Sequence, residues 1–263
     1  MRRQQGRSLP SIKIHRLLNC QGFRRIGRRV FSETIPMCPK RTTKVGRPRS
    51  SDNDKSERGE RILNAAEELF ALHGYDGVTL RTLANAAGVD VALINYYFGP
   101  KQQLFDTVFK RRAEILNQER FSALEKARQS AAPNVIPVEK IIEAFLRPLE
   151  VAQESEDEGW RNYCALLAYV NNSAVWGPVL MSKHYNDLVD VFIDALRQAL
   201  PRADDADLYW CYHYMSGAMS LTFANTGRID KMSGGLCRSD DFKAAYDRMI
   251  PFIAAGFRQV CDR

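Results

Sequence analysis

Between Thr79 and Lys101 the chain reads TLRTLANAAGVDVALINYYFGPK. Its side chains are of kinds that recognise rather than react. Asn95 carries a carboxamide that can pair in bidentate fashion with the edge of an adenine, and the apolar tips of Val91 and Leu93 can meet thymine methyls. Arg81 is a candidate for a phosphate oxygen. Elsewhere no nucleophile, base and oxyanion donor gather into a set, so catalysis is not expected. Six cysteines (Cys20, Cys38, Cys164, Cys211, Cys237 and Cys261) lack paired CxxC spacing, and the four histidines are scattered without HExxH. Neither a metal site nor a cofactor is expected from them. Three of the cysteines lie in apolar or aromatic helical surroundings, which predicts reduced, structural thiols.

The elements that must carry these groups are two short helices and the start of a third. Thr79 and Asp90 can each cap a helix, since a side-chain oxygen there reaches orphan N–H groups one turn inside. Leu80, Leu83, Ala84 and Ala87 recur at helical spacing, and Gly88 stands where a left-handed residue would stop the first helix. Val89, Ile94 and Phe98 are expected inward from the second helix, leaving Val91, Leu93, Asn95 and Tyr97 to point elsewhere. Pro100 after Gly99 suits the first turn of the next helix. Two crossed helices joined by so short a turn form a helix-turn-helix, whose second member can enter a DNA major groove. An ordinary corner between helices of a non-DNA-binding protein has the same spacing.

ILNAAEELFALHGYDGVTLRTLANAAGV (62–89) and the aromatic end INYYFGPKQQLF (94–105) resemble the N-terminal domain of the TetR family of bacterial transcriptional regulators. The resemblance covers about fifty residues (61–109). It implies an all-α protein: a three-helix head with the helix-turn-helix, then a larger helical domain for ligand binding and dimerisation. It also implies that Val91, Leu93 and Asn95 read base edges, and that Thr79, Tyr96, Tyr97 and Lys101 meet the DNA backbone. Departures from the commonest pattern are Asp90 for a serine, Ala92 for a glycine, and Tyr97 for a histidine. Asn95 replaces a tyrosine, as in the asparagine–tyrosine branch of the family. The Asp90 carboxylate would cap well but repel a phosphate.

Charge divides the chain unevenly. The net charge is +7, yet residues 1–50 hold fourteen Arg or Lys against the single acid Glu33, leaving the remainder at −6. The basicity is therefore a tail, interrupted by Pro10, Pro36, Pro39 and Pro48, with little incentive to fold. Lys40, Arg41, Lys44, Arg47 and Arg49 precede the head across the polar linker SDNDKS, as an arm that tracks phosphates or enters a minor groove would. A solubilising leader, an organelle presequence and a translation start further down, at Met37, are the other readings. The expected divisions are 1–55 for leader and arm, 56–103 for the DNA-binding head, and 104–263 for the body.

The first folded helix is expected from Ser56 to His73, with Ile62, Ala65, Ala66, Leu69 and Phe70 inward and Glu60, Glu67 and Glu68 outward. Body helices are expected over 102–128, 138–151, two between 160 and 181, then 184–200 and 206–224. The run Glu154, Glu156, Asp157, Glu158 reads as a solvated loop edge, and Gly227 to Gly235 as a loop before a last helix capped by Ser239 and kinked at Pro251. Trp160 to Met181 holds one charged side chain, Arg161, but Asn162, Asn171, Asn172, Ser173 and Gly177–Pro178 argue against a membrane span. A cytoplasmic protein, nucleoid-associated when on DNA, is expected. An effector pocket between the central helices would take Trp160, Tyr163, Trp176, His184, Tyr209 and His213 as lining, each also explicable as packing. Their bias suggests an apolar or amphipathic ligand. The family resemblance places a homodimer interface on the two C-terminal helices. The function expected is a DNA-binding repressor released from double-stranded operator DNA by an unidentified small ligand; a helical small-molecule-binding protein or enzyme without DNA binding is the alternative.

Overall fold

The computed structural model describes residues 52–262, with side chains from Lys55 onward; the basic tail and its arm, Lys40 to Arg49, lie outside the described residues. The described residues form ten α-helices and no strand. Helix α1 (Asp52–His73), α2 (Leu80–Ala87) and α3 (Val91–Phe98) make the head, and α4 (Lys101–Ala131) runs from it into the body. There it meets α5 (Val138–Glu154), α6 (Glu158–Asn171), α7 (Ser182–Ala199), α8 (Asp205–Phe223), the short α9 (Arg228–Met232) and α10 (Phe242–Cys261). Helix α10 packs on α5 and α8, while α1 lies against α6 as well as against its partners in the head.

The long helix α4 is the axis. Leu104, Phe105, Val108 and Phe109 are fully buried, as their spacing predicted, Phe105 against Phe70 and Tyr75 of the head but Phe109 against Tyr163, His184 and Tyr185 of the body, and Leu116 and Leu124 continue the same stripe. Ile141, Ile142, Phe145 and Leu149 of α5 face the core as expected. Cys164, Cys211 and Cys261 are buried thiols outside any disulfide, and burial pushes Cys164 and Cys261 up to about 12. No described helix is long and apolar enough to cross a membrane.

Several expectations change. Helix α1 begins at Asp52, so most of the supposed linker is its first turn. Glu67 is buried, not outward, because α1 is covered on two sides and its hidden arc is wider than one apolar stripe. Asp157 is not merely a solvated edge, since it caps α6 by accepting from the Gly159 N–H at 2.9 Å. Two helices do divide the apolar run. The break, however, is the turn at 172–176; Gly177–Met181 is a π-turn leading straight into α7, with Pro178 in its opening turn where its missing N–H costs little. The glycine loop contains α9, bracketed by Gly227, Gly234 and Gly235 at positive φ. Ser239 does not cap α10. Its N–H is held by Asp230, and Asp241 accepts from Ala244 at 2.9 Å instead.

Candidate nucleic-acid interface

Reciprocal hydrogen bonds fix the start of α2. The Thr82 N–H donates to Thr79 Oγ1 at 3.1 Å, and the Thr79 N–H donates to Thr82 Oγ1 at 3.0 Å. This is a capping box with threonine in the place of the usual acid or amide, which is why sequence reading found only half of it. Gly88 ends α2 at φ 64°, and its neighbour Val89 donates back to Ala84 at 2.9 Å, turning the chain sharply into α3. Asp90 occupies the cap position of α3 with extended backbone, but its side chain makes no capping bond, contrary to expectation.

Helix α3 is anchored by Ile94, which is fully buried, while Val89 and Phe98 pack half-buried against the core. Asn95 and Tyr96 are exposed, Tyr96 to 77 %. Val91, Leu93 and Tyr97 are half-buried; Val91 and Tyr97 rest partly on the core, so less of each is free than the spacing implied. Arg81 is exposed on α2. Lys101 is engaged inward. Its Nζ donates to the Val78 carbonyl at 2.7 Å and lies 4.0 Å from the Tyr75 ring centroid, tying the α1–α2 turn to the start of α4. An ammonium has three donors, so this bond leaves others for a phosphate.

The head is held to the body by groups that sequence reading passed over. Arg112, on α4, donates through Nε to Glu67 at 2.6 Å and through Nη1 to Asp157 at 2.8 Å. One guanidinium thus joins α1, α4 and the start of α6. The hydrogen bond from Arg112 holds the Asp157 carboxyl below the usual carboxylate range. Gly159 makes room for it, since a Cβ there would stand 1.8 Å from Arg112 Nη2. The signal was present: Arg112 falls in phase with Val108, Leu116 and Leu124 on the buried stripe of α4. Because Asp157 titrates low when folded, its contribution is complete above about pH 4 and drains as the medium is acidified further. Asp157→Asn is expected to make the acid-unfolding profile less steep below that point; an unaltered profile would mean the Asp157–Arg112 pair adds nothing.

The six expected pocket residues are spread over several helix junctions. Trp176 sits between Tyr75 and Phe105, at 4.4 and 5.1 Å between centroids, where the head meets the π-turn. Trp160 lies 5.0 Å from the Arg112 guanidinium and edge-on to Tyr163. Tyr163 is buried and bonded to the Tyr185 hydroxyl, and burial raises it well above an ordinary phenol. His184 Nε2 is 2.8 Å from Asp106 Oδ1. Tyr209 and His213 are exposed on α8. A small internal cavity lies among α4 to α8, lined by Arg120, Phe145, Asn171, Tyr185, Tyr212 and Met219, among others.

An apolar face remains on the last long helices. Trp210, Tyr214 and Leu221 of α8 are 56 %, 59 % and 60 % exposed, and Phe252 of α10 is 74 % exposed. Tyr214, Phe252, Ala255, Gly256 and Val260 line a cleft of about 600 Å³ between the two helices.

Known proteins share both regions of this architecture. Residues 62–108 match the family model of bacterial regulatory proteins of the tetR family, and residues 143–256 that of the tetracyclin repressor-like C-terminal domain. The HTH-type transcriptional repressor AcnR of Corynebacterium jeikeium is 41% identical over 58 residues, which are 22% of this chain and 31% of that protein. The chain thus spans about a third of the length of the first curated relatives it matches. The HTH-type transcriptional regulator PksA of Bacillus subtilis is 23% identical over 167 residues, 61% of this chain and 70% of that protein. Among solved structures, a TetR-family transcriptional regulator from Streptomyces coelicolor superposes with TM-score 0.52 at 17% identity, covering 78% of this chain and 96% of that one. SmeT, the repressor of a Stenotrophomonas maltophilia multidrug efflux pump, does so with TM-score 0.51 at 20% identity, covering 75% and 88%. These structural likenesses show the fold.

Proposed function

This chain belongs to the TetR family of regulators, matching both its DNA-binding and its C-terminal domain models, and from that membership we propose that it is a homodimeric, sequence-specific DNA-binding repressor released by a small ligand. The observation that carries the DNA-binding part is α3 itself: a short helix held from behind by Ile94 that leaves the Asn95 amide and the Tyr96 ring exposed. Asn95 with the tips of Val91 and Leu93 is assigned to base edges, the asparagine–tyrosine form of the recognition helix being part of the proposal. Thr79, Arg81, Tyr96, Tyr97 and Lys101 are assigned to the sugar–phosphate backbone, and the arm from Lys40 to Arg49 to phosphates beyond it. The exposed apolar face of α8 and α10 supports dimerisation through these helices.

Release follows from geometry. A dimer reads half-sites about 34–36 Å apart or a multiple of that, so a small change in head placement loses both contacts together. Met181 lines the internal cavity and ends the π-turn that begins directly after Trp176. A ligand that displaces Met181 therefore bears on the Trp176, Tyr75 and Phe105 cluster and, through Tyr75, on Lys101.

The test is a footprint or gel-shift on DNA upstream of the chain's own gene, repeated with candidate ligands at fixed salt; absence of any protected site would overturn the assignment. Asn95→Ala is expected to lower operator discrimination over scrambled DNA by ~1–3 kcal/mol, with the fold intact. An unchanged specificity ratio would remove Asn95 from the readers. Trp176→Phe is expected to keep ligand binding while reducing the ligand-induced fall in operator affinity, which for such coupling is typically ~5–150-fold. Undiminished release would show that the signal travels by another route.

A further inference from the structure

Four charged side chains are buried among the described residues: Glu67, Arg112, Arg120 and Glu150. Three are paired, Glu67 with Arg112 and Glu150 with Arg147. Arg120 is not. It is 1 % exposed and has no carboxylate within ion-pair distance. Its Nε donates to the Phe145 carbonyl at 2.8 Å, its Nη2 reaches only the Met219 sulfur at 3.6 Å, and its Nη1 makes no hydrogen bond in the protein. The guanidinium lies 4.0 Å from the Phe145 ring centroid, a weak substitute for a counter-ion. Removing a full charge from water without a partner is costly, and proteins ordinarily supply one.

The surroundings of Arg120 are those of a site rather than of plain packing. The cavity beside it measures about 10 Å³, room for no more than a single water, so a head group enters only as the walls give. Its walls are apolar, from Phe145, Leu167, Met181, Met219 and Phe223, with polar groups at a few points only. Asn171 is engaged, donating to Ser216, which also lines the cavity, and to Ser220, and Tyr185 is bonded to Tyr163. The Tyr212 hydroxyl makes no hydrogen bond in the protein, and Tyr212 lines the same cavity as Arg120. Burial holds Tyr212 at about 12 and raises Tyr185, so neither phenol ionises to neutralise the arginine. Phe223 lines both this cavity and an open cleft of about 620 Å³ that includes Arg161, Ala165 and Phe242. The body of a molecule could therefore extend outward once Phe223 swings aside.

We propose that Arg120 and Tyr212 form the anchor for an organic anion, a single carboxylate carried on an apolar body, with its head group in the cavity and its tail passing Phe223 toward the cleft. The proposal rests on the reading of this chain as ligand-responsive and narrows the ligand from apolar or amphipathic to amphipathic and negatively charged. Such a ligand would restore charge balance at Arg120 and push on Met181.

The experiment uses the full chain and two probes of equal length, sodium decanoate and 1-decanol, with potassium chloride alone as a third arm. Binding is followed by tryptophan fluorescence and thermal shift in the unmodified protein and in Arg120→Gln, Arg120→Lys and Tyr212→Phe. Decanoate is expected to bind and to stabilise the unmodified protein, with 1-decanol much weaker. Arg120→Gln should weaken decanoate about 30-fold or more and leave 1-decanol unchanged. Arg120→Lys should recover part of the loss, and Tyr212→Phe should weaken decanoate ~2–10-fold. Should Arg120→Gln not fold, the lysine and phenylalanine variants carry the test alone. Equal affinity for the two probes, undiminished decanoate binding in the variants, or no decanoate binding overturns the proposal. So does an Arg120-dependent response to chloride only, which would mean a small inorganic ion completes the site. Arg120-dependent decanoate binding that leaves operator affinity unchanged upholds the anchor and refutes ligand-driven release instead.

Discussion

Arg112→Ala is expected to lower folding stability by about 3–5 kcal/mol, among the largest effects of any single substitution in this chain. The reason is what remains behind. Glu67 is 2 % exposed and would be left as a buried carboxylate without a cation, while α6 would lose the bond that draws its first turn toward α1 and α4. A double substitution separates the pair's own contribution from that penalty. Arg112→Met with Glu67→Leu removes both charges and fills the space, and replacing a buried pair in this way is often close to neutral. Chemical denaturation at one fixed protein concentration, so that dimerisation does not shift the midpoint, provides the comparison. If Arg112→Ala loses less than about 1 kcal/mol, the bridge is not what fastens α1 to the body.

Trp210→Asp is expected to abolish dimerisation at micromolar protein and, with it, high-affinity operator binding. Trp210 is more than half exposed on α8, stacked on Tyr214 with their centroids 5.8 Å apart, and Phe252 of α10 is bare. Large aromatics of this kind are the residues on which interfaces most depend, each costing ~2–4 kcal/mol when truncated. A carboxylate placed opposite its own copy adds repulsion across a two-fold axis. Sedimentation equilibrium reads the assembly state, and circular dichroism should be unaltered because the site is exposed in the protomer. A variant that still sediments as a dimer would move the interface to another face.

Much of this architecture was legible in the chain because local rules agree with tertiary structure there. Leu83, Ala84 and Ala87 keep helical phase, Gly88 takes the left-handed conformation that ends α2, and Ile94 points inward from α3. The buried charges were harder to see. Arg112 and Arg120 sit on the apolar stripe of α4, where an unbroken phase would have flagged them, but long charged side chains on a helix are ordinarily read as solvent-facing. Glu67 was misplaced because α1 is sandwiched, and a single-face pattern underestimates how much of such a helix is hidden. Residue type alone says less about a pocket: Trp160, Trp176 and His184 each make their contacts at a separate helix junction. Asp90 and Ser239 were plausible caps by residue type. Position decided against Ser239, whose backbone is claimed by Asp230.

The seam between head and body also limits how interchangeable the two are. A hybrid built by fusing a foreign head to residues 101–263 would cut the chain where sequence similarity suggests a clean joint, yet it would separate Arg112 and Asp157 from Glu67. It would also remove Gly74, which lies in contact with the Tyr169 ring of α6 and whose added Cβ would stand 3.0 Å from that ring. Such a chimaera should transmit ligand binding only when the transplanted first helix brings an acid at the position of Glu67 and a glycine at the position of Gly74. Donor heads can be chosen on those two residues before any operator preference is considered.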